Sequence, residues 1–569
     1  MPDLVIHTES PARVKVLALG QEAPHGAKGE TPNANRQSIA APDGGAWYWP
    51  NGALRDLTAS PSPGVLKMDL DPSDASRMDP GYSAHFLTDQ SGEASLWVPP
   101  GPVLVTAERG PEHTPVERMV EVGVTGARVS AVPTRWVNLQ EEGWFSGDLH
   151  IHRPLSDAPA ILEAEDLYLG AFVTNWNQSE PSEANEPAPD RPSKVAEPYK
   201  TTEEVKPGTR ESSPLTQAVD SPQTGDRSAV APVTEDERGG GAWLLHGVAP
   251  CLPTTSQWWY PTGREIVDRA RTAGAHFDAE KLTWWEVPVM MATAPPDSVG
   301  VLNNHYVPGG FFANEAWGRP RDRIAYPGHL GAAQYQLWLY YQYLNCGFVL
   351  PASAGSASGV LPAPPGYNRV YVQPGSAAMN PVVGFYAALR AGHSFVTNGP
   401  LLDFQVDDVG PGGTVRRGRA KVQITTQSTR SGSLGAVNLK QGLTTELVID
   451  GSVAAQATGD HLKGEFDLSG ARWIAARVWQ EDSSTIRLAH SSPIYVAGSP
   501  ISPKADYYAR AANARNFFDK WVVELIAQSE ADTSRFPSQP ARQEVLDWYR
   551  EASNFWTSTR SPVRTPEMN

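Results

Sequence analysis

Two histidines separated by a single residue, His150 and His152, stand in the segment GWFSGDLHIHRPLSDAP, residues 143–159. Side chains of a β-strand alternate between its two faces, so both imidazoles are expected on the same face, where together they can bind one ion. Asp148, just before them, is expected to accept a ring N–H and so orient one imidazole. The spacing therefore predicts a metal site. The alternative is two surface or capping histidines that fall two apart by chance.

The motifs around this pair resemble those of a known superfamily. GDLHIH resembles the first motif of the polymerase and histidinol phosphatase (PHP) superfamily, and residues 80–500 resemble its CehA/McbA-like metallohydrolase branch. The segment ALRAGHSFVTNGPLLDFQV adds to this resemblance. The resemblance implies a distorted β/α barrel with two or three divalent ions at the carboxyl ends of its strands. It also implies hydrolysis of phosphoesters, esters or amides.

Five residues match the metal ligands that this resemblance implies. His150 and His152 match the opening pair, and Glu237 precedes His246 at close to the spacing of the family's bridging carboxylate and following histidine. A carboxylate can bridge two cations because each of its oxygens can serve one ion. His305 follows an apolar strand, as a ligand on a barrel rim does. The alternatives are a solvated acidic turn around Glu237 and a structural role for His305.

The segment GAHFDAEKLTWWEVP stands where the family usually has Ala-His-Pro at a strand end. It offers His276, Asp278 and Glu280, and which of them points into the site stays open. Under the resemblance, Asp278 or Glu280 is the base that activates water.

Two motifs depart from the family pattern. The usual Thr-Asp-His-Asn is TNWN here, with Asn175 and Trp176 in place of a carboxylate and a histidine. The usual Gly-Ser-Asp-x-His is GSASG, with Ala357 and Gly359 at ligand positions. Alanine and glycine have no side-chain donor atom, so the remaining ligands predict one or two ions rather than the full cluster.

These residues predict a divergent hydrolase that uses one or two divalent ions, zinc, manganese or iron, on an ester, amide or phosphoester bond. We expect the substrate to be a small molecule or a glycan. The tryptophan-rich segments QWWYP and LTWWEVP either line an aromatic cleft or belong to the core. The alternative function is a non-catalytic binding protein that keeps the scaffold after losing its metal site.

Composition excludes several other classes of protein. The net charge of -16 opposes sequence-independent binding of nucleic acid, which requires clustered Lys and Arg. The sequence contains no apolar run of about 18 residues, so it predicts no membrane span. The two cysteines, Cys251 and Cys346, form neither a disulfide framework nor a cysteine zinc site. The first residues lack the pattern of an export signal, which predicts a cytoplasmic protein unless the gene start lies further upstream. The oligomeric state stays open.

The residues above must be positioned by a larger fold, and we expect a multidomain α/β protein. A chain of 569 residues exceeds what one hydrophobic core can hold. We expect a β-sandwich module over residues 1–140, a PHP-like, TIM-type β/α barrel over 141–400, a second β-sandwich over 401–500 and a helical segment over 501–569. Within the barrel, residues 179–238 are expected to form a disordered insertion, because residues 179–232 carry nine prolines and a single aromatic, Tyr199.

Capping signals predict where three helices of the barrel begin and end. Thr262 and Glu265 match a capping box, and Gly274 is expected to end that helix. A second helix is expected over QYQLWLYYQYLNCG, and a third from the cap Asn380 to Gly392. Asp450-Gly451 predicts a hairpin turn.

Overall fold

The computed structural model of the chain describes residues 3–18, 38–40, 46–48, 83–88, 91–98, 100–177, 217–219, 228–247, 259–308, 310–312, 318–361, 363–375, 380–428, 442–480, 485–497 and 505–558.

The elements that the structure describes in the first part of the chain are all strands, as expected for a β module. They are β1 (Asp3–His7), β2 (Arg13–Ala18), β3 (Ser38–Ala40), β4 (Ala46–Tyr48), β5 (Ser83–Leu87), β6 (Glu93–Trp97), β7 (Gly101–Glu108), β8 (His113–Thr114), β9 (Val116–Val122), β10 (Ala127–Ser130) and β11 (Thr134–Arg135). A three-stranded sheet, β10-β1-β6, and a four-stranded sheet, β5-β2-β7-β9, bury one common apolar cluster that includes Leu4, Val14, Phe86 and Val105. Alternate residues of β7 enter this cluster, as expected for strands with one buried face.

The central part alternates strands and helices. Its elements are β12 (Phe145–Ile151), α1 (Ala158–Ala164), β13 (Leu169–Asn177), β14 (Gln217–Val219), β15 (Ser228–Asp236), β16 (Trp243–His246), α2 (Gly263–Thr272), β17 (His276–Ala279), α3 (Val287–Thr293), β18 (Ser298–Leu302), β19 (Tyr306–Val307), β20 (Gly310–Phe311), α4 (Gly331–Asn345), β21 (Ala352–Ala354), β22 (Arg369–Val372), α5 (Pro381–Ala391) and β23 (Ser394–Thr397).

The predicted capping signals are confirmed. The Thr262 hydroxyl accepts the Glu265 amide at the start of α2, and the Asn380 side chain accepts the Val383 amide at the start of α5. Gly392 ends α5 in the left-handed conformation, with φ of 79°.

The last part of the chain holds more strands and two long helices. They are β24 (Leu401–Val406), β25 (Thr414–Val415), β26 (Arg419–Gln427), β27 (Leu443–Ile449), β28 (Ser452–Thr458), β29 (His461–Asp467), β30 (Trp473–Gln480), β31 (Arg487–Ser491), β32 (Ile494–Val496), α6 (Ala505–Ala531) and α7 (Gln539–Thr557). The predicted turn joins β27 to β28, with φ of 49° at Asp450 and 86° at Gly451.

One large curled sheet organises the centre of the molecule. Thirteen strands follow the order β21-β18-β17-β16-β15-β13-β12-β22-β23-β31-β30-β27-β28, and β14, β25 and β32 pair off this path. Strands β12, β13 and β15 are parallel, β16 is antiparallel to its neighbours, and β17, β18 and β21 run parallel again. The His152 amide donates to the Ser358 carbonyl at 2.8 Å, just beyond β21. The sheet therefore curls back towards β12 as a half-barrel.

The mixed α/β class is confirmed, and the sheet does not stop at residue 400. Strands β31, β30, β27 and β28 belong to the predicted second module yet extend the curled sheet through β23. A separate apolar cluster fills the space between these strands and the β24-β26-β29 sheet. The boundary predicted at 400 thus falls within continuous strand pairing.

The two C-terminal helices pack against helices α3 and α4 through aromatic side chains. Phe518 stacks on Tyr343 of α4 with ring centroids 4.0 Å apart, and the Trp556 indole donates to the Pro288 carbonyl of α3. Trp521 and Trp556 are buried. These aromatic side chains therefore belong to the core of the molecule.

The structure corrects part of the predicted disordered insertion over residues 179–238. Residues 228–236 form β15, a buried strand in the middle of the curled sheet, and residues 217–219 pair with it as β14. The apolar run SAVAPV supplies buried side chains of β15. Counting prolines over the whole longer segment did not reveal this short apolar strand at its end. The rest of residues 179–238 up to Arg227, except 217–219, lies outside the described residues. Among the described helices, none combines the length and apolar character needed to cross a membrane.

Candidate metal centre

Strand β12 carries the two histidines to the carboxyl edge of the curled sheet. His150 is the penultimate residue of β12 and His152 follows its last residue. Their Nε2 atoms lie 2.9 Å apart. Glu235, near the end of the parallel strand β15, brings its Oε2 atom to 3.1 Å from His150 Nε2 and 3.0 Å from His152 Nε2. Two imidazoles and one carboxylate therefore converge on one point.

The separations of these three atoms match those of ligands around one ion. Nitrogen and oxygen ligands at about 2.1 Å from an ion lie about 3.0 Å apart at right angles and about 3.4 Å apart in a tetrahedron. The observed 2.9–3.1 Å correspond to one face of an octahedron. A set of two histidines and one carboxylate suits zinc, manganese or iron.

A carboxylate behind His150 fixes the orientation of its ring. Glu280 directly follows the parallel strand β17, and its Oε1 atom lies 2.6 Å from His150 Nδ1. Its other oxygen accepts a hydrogen bond from Lys281 Nζ at 2.7 Å. Lys281 also donates to Glu237 Oε1 at 3.3 Å. Because Glu280 accepts the proton on Nδ1, the Nε2 atom of His150 is left to face His152 and Glu235.

The carboxylates favour positive charge at this centre. Burial disfavours an imidazolium, but Glu280 and Glu235 outweigh burial and raise the pKa of His150 to about 10. Burial likewise opposes charge on Glu235, yet His150 holds the pKa of Glu235 well below its usual range. Burial also opposes the charge on Lys281, and Glu280 and Glu237 overcome it to raise the pKa of Lys281.

The segment GSASG supports the histidines through its backbone and serines. The Ser356 amide and hydroxyl both donate to Asp148, which also accepts the backbone amide of His150. A side chain at Gly355 would place its Cβ 2.5 Å from His150 Cβ, and one at Gly359 would lie 2.3 Å from the His152 carbonyl. The small residues here are therefore explained by close packing against the two histidines. Asp148 holds the backbone of this segment rather than a ring N–H, which corrects the predicted role.

The carboxylate beside the histidines is Glu235 and not the predicted Glu237. Glu237 pairs with Lys281 instead. The two glutamates lie in the same run TEDE, and a comparison of motif spacing alone does not resolve a shift of two residues. The sequence signal that could have identified Glu235 is the apolar strand that ends at Asp236. This strand puts Glu235 on the edge that also carries His152.

The antiparallel strand β16 carries His246 away from that edge. His246 pairs in register with Val233 and with His276, the first residue of β17, so it lies at the opposite end of β17 from Glu280. Its Nδ1 atom is 3.0 Å from the Tyr386 hydroxyl, and both rings are buried. His246 is therefore not part of the three-ligand group, because a strand of opposite direction ends at the opposite edge.

Asp278 and His305 lie near the centre without entering it. The hydroxyls of Ser298 and Ser353 donate to Asp278, and burial raises the pKa of Asp278 to about 6. The Ser298 hydroxyl also contacts His276 Nε2. Burial and the ammonium of Lys281 lower the pKa of His305 to about 3.

Trp176 covers His152, the more exposed of the two histidines. It pairs in register with Glu235, and its ring centroid lies 4.5 Å from that of His152. Its buried Nε1 atom has no hydrogen-bond partner among the residues that the structure describes. Trp284 is buried, and its ring lies 5.1 Å from Lys281 Nζ. The two rings thus pack against the charged residues of the centre.

Comparison with protein-family models, curated proteins and solved structures finds no match to this chain.

Proposed function

We propose that the protein is a divergent metal-dependent hydrolase whose centre holds one divalent ion through His150, His152 and Glu235. The observation that carries this proposal is the convergence of their three ligand atoms within 2.9–3.1 Å. The resemblance of GDLHIH to the first PHP motif supports hydrolysis. The fold we propose alongside it is a divergent PHP-like barrel, of which the curled sheet forms the wall, flanked by two β-sandwich modules.

The charges around the centre fit one divalent ion. Glu235, Glu237 and Glu280 are three carboxylates, and Lys281 is one ammonium among them. Counting these four groups alone and taking both histidines as neutral, two negative charges remain, which one divalent cation neutralises. A buried uncompensated charge is costly, so this balance favours loading with a single ion.

The residues of the chain have distinct tasks in this proposal. A divalent ion, when bound, supplies Lewis acidity that polarises the scissile group and acidifies water. Glu280 holds the proton on Nδ1 of His150 and so keeps Nε2 available for the ion. Asp278 is the candidate base, because Glu280 is engaged by His150 and Lys281 on both oxygens. Trp176 limits access of water past His152.

A second candidate, a binding protein in which the ion only stabilises the scaffold, is favoured by the burial of the ligands. The side chains of His150, His152 and Glu235 are 0%, 7% and 1% exposed. A catalytic centre must admit substrate, whereas a structural site is closed.

A hydrolysis assay separates the two candidates. The purified chain is stripped with a chelator, reloaded with zinc, manganese or iron, and offered nitrophenyl esters, nitroanilides and nitrophenyl phosphates. We expect turnover of at least one class only after reloading, and its loss in Asp278→Asn with the ion retained. Ion binding without turnover of any class would favour the binding protein.

A further inference from the structure

The ammonium of Lys281 is a buried positive charge beside two carboxylates of the centre. Its ammonium lies 2.7 Å from Glu280 Oε2 and 3.3 Å from Glu237 Oε1. The side chains of Lys281 and Glu280 are 3% and 2% exposed, so water contributes little to their solvation. A lysine is seldom buried unless it is paired in this way.

The position of this ammonium relative to the histidines resembles that of a second ion. Glu280 uses one oxygen for His150 and the other for Lys281, so one carboxylate links the two positive positions. Glu237 and Glu280 follow the strands β15 and β17, which run in the same direction, and each brings one oxygen to the ammonium. Carboxylate oxygens from two strand ends are also what a divalent cation would need.

We propose that the ammonium of Lys281 serves as a built-in second cation, which restricts the centre to one divalent ion and holds Glu280 against His150. This inference rests on the proposed function. Lys281 is thus a positioning residue that acts through Glu280. Without it, three carboxylates face one ion, and the excess negative charge would attract a further cation to the space between Glu237 and Glu280.

The test counts cobalt ions in three full-length proteins. Co²⁺ is titrated into the wild-type chain, Lys281→Met and Lys281→Met/Glu237→Gln, with visible absorption and elemental analysis as readouts. Met has a similar length and no charge, and the double variant removes one negative charge together with the positive one. We expect one equivalent of Co²⁺ in the wild type, two in Lys281→Met with a second absorption change, and one in the double variant.

The outcomes separate this inference from the proposed function. A wild-type chain that binds no Co²⁺ overturns both. One equivalent in the wild type and an unchanged single equivalent, affinity and spectrum in Lys281→Met overturn only the role of Lys281. If Lys281→Met does not fold, the double variant decides. A folded double variant with one ion supports charge compensation, and an unfolded or ion-free one contradicts it.

Discussion

Each ring nitrogen of His150 has a different task. Nδ1 faces Glu280 at 2.6 Å, and Nε2 faces His152 and Glu235. Lys281 fixes the far oxygen of Glu280, so the carboxylate cannot rotate away without breaking a buried ion pair. The order Lys281, Glu280, His150 therefore determines which nitrogen is available to an ion.

Replacing Glu280 tests this arrangement at a single residue. We expect Glu280→Gln to weaken zinc binding by about 10–100-fold, because a neutral amide no longer holds the Nδ1 proton of His150 with the strength of a carboxylate. The measurement is competition with a chromophoric chelator.

The matched control is Glu237→Gln, which likewise loses a charged contact with Lys281 but leaves the contact between Glu280 and His150 in place. Its zinc affinity should fall by less than about tenfold. Equal losses in both variants would show that charge alone, and not orientation of His150, determines affinity.

At the scale of elements, the centre follows from strand direction. Strands β12, β15 and β17 are parallel, so His152, Glu235 and Glu280 meet at the carboxyl edge of the sheet, where ligands of α/β proteins usually bind. The segment after β21 packs against the centre, with Gly355 in close contact with His150.

Gly355 offers a test of this close packing. We expect Gly355→Ala to lower the free energy of unfolding by about 1–3 kcal/mol and to weaken zinc retention, because its Cβ would lie 2.5 Å from His150 Cβ. The measurement is urea unfolding, followed by metal analysis of the folded protein.

Gly410→Ala is the control, since, apart from its two chain neighbours, no atom of the described residues lies within 4 Å of a Cβ at that position. It shares the loss of backbone freedom in the unfolded chain, and its stability should change by no more than about 1 kcal/mol. A Gly355→Ala protein as stable as Gly410→Ala would contradict the packing described here.

Sequence patterns predicted part of this centre and missed part of it, for physical reasons. The alternation of a strand was sufficient to place His150 and His152 together, because it is local. The partner Glu235 depends on which strand lies beside β12 and on its register, and neither is written in local spacing. Lys281 was not singled out, because a single lysine is usually exposed, and only its burial between two carboxylates gives it significance.

At the scale of the whole molecule, the C-terminal helices pack against helices α3 and α4 of the central part. The Tyr549 hydroxyl of α7 donates to Glu286, a buried residue just before α3. Capping residues and apolar spacing predicted the helices, whereas the continuation of the sheet past residue 400 could not be predicted, because it depends on the long-range pairing of β23 with β31.

Glu286 gives a pH dependence to this contact. Burial raises the pKa of Glu286 to about 7, although Tyr549 and Arg238 oppose the shift. Because the folded chain holds the proton more tightly than the unfolded one, the stabilisation is present below about pH 4.5 and is lost as pH rises through 7. We therefore expect Glu286→Gln to gain stability relative to the wild type between pH 5 and 8, by up to about 3 kcal/mol.

The comparison uses urea unfolding at each pH, with Glu551→Gln as control. Glu551 lies on α7, two residues after Tyr549, and its side chain is 58% exposed. Its stability difference from the wild type should stay level across this range. A level difference for Glu286→Gln as well would contradict burial of the Glu286 carboxylate against α7.

The central claim, that His150, His152 and Glu235 hold one divalent ion, is tested most directly by metal analysis. The full chain is purified without chelator, supplied with zinc, manganese or iron, and compared with the double variant His150→Ala/His152→Ala. We expect about one equivalent of one of these metals in the wild type and none in the variant, with a similar circular dichroism spectrum in both. A wild-type chain that retains less than about 0.1 equivalent of each metal would contradict the claim.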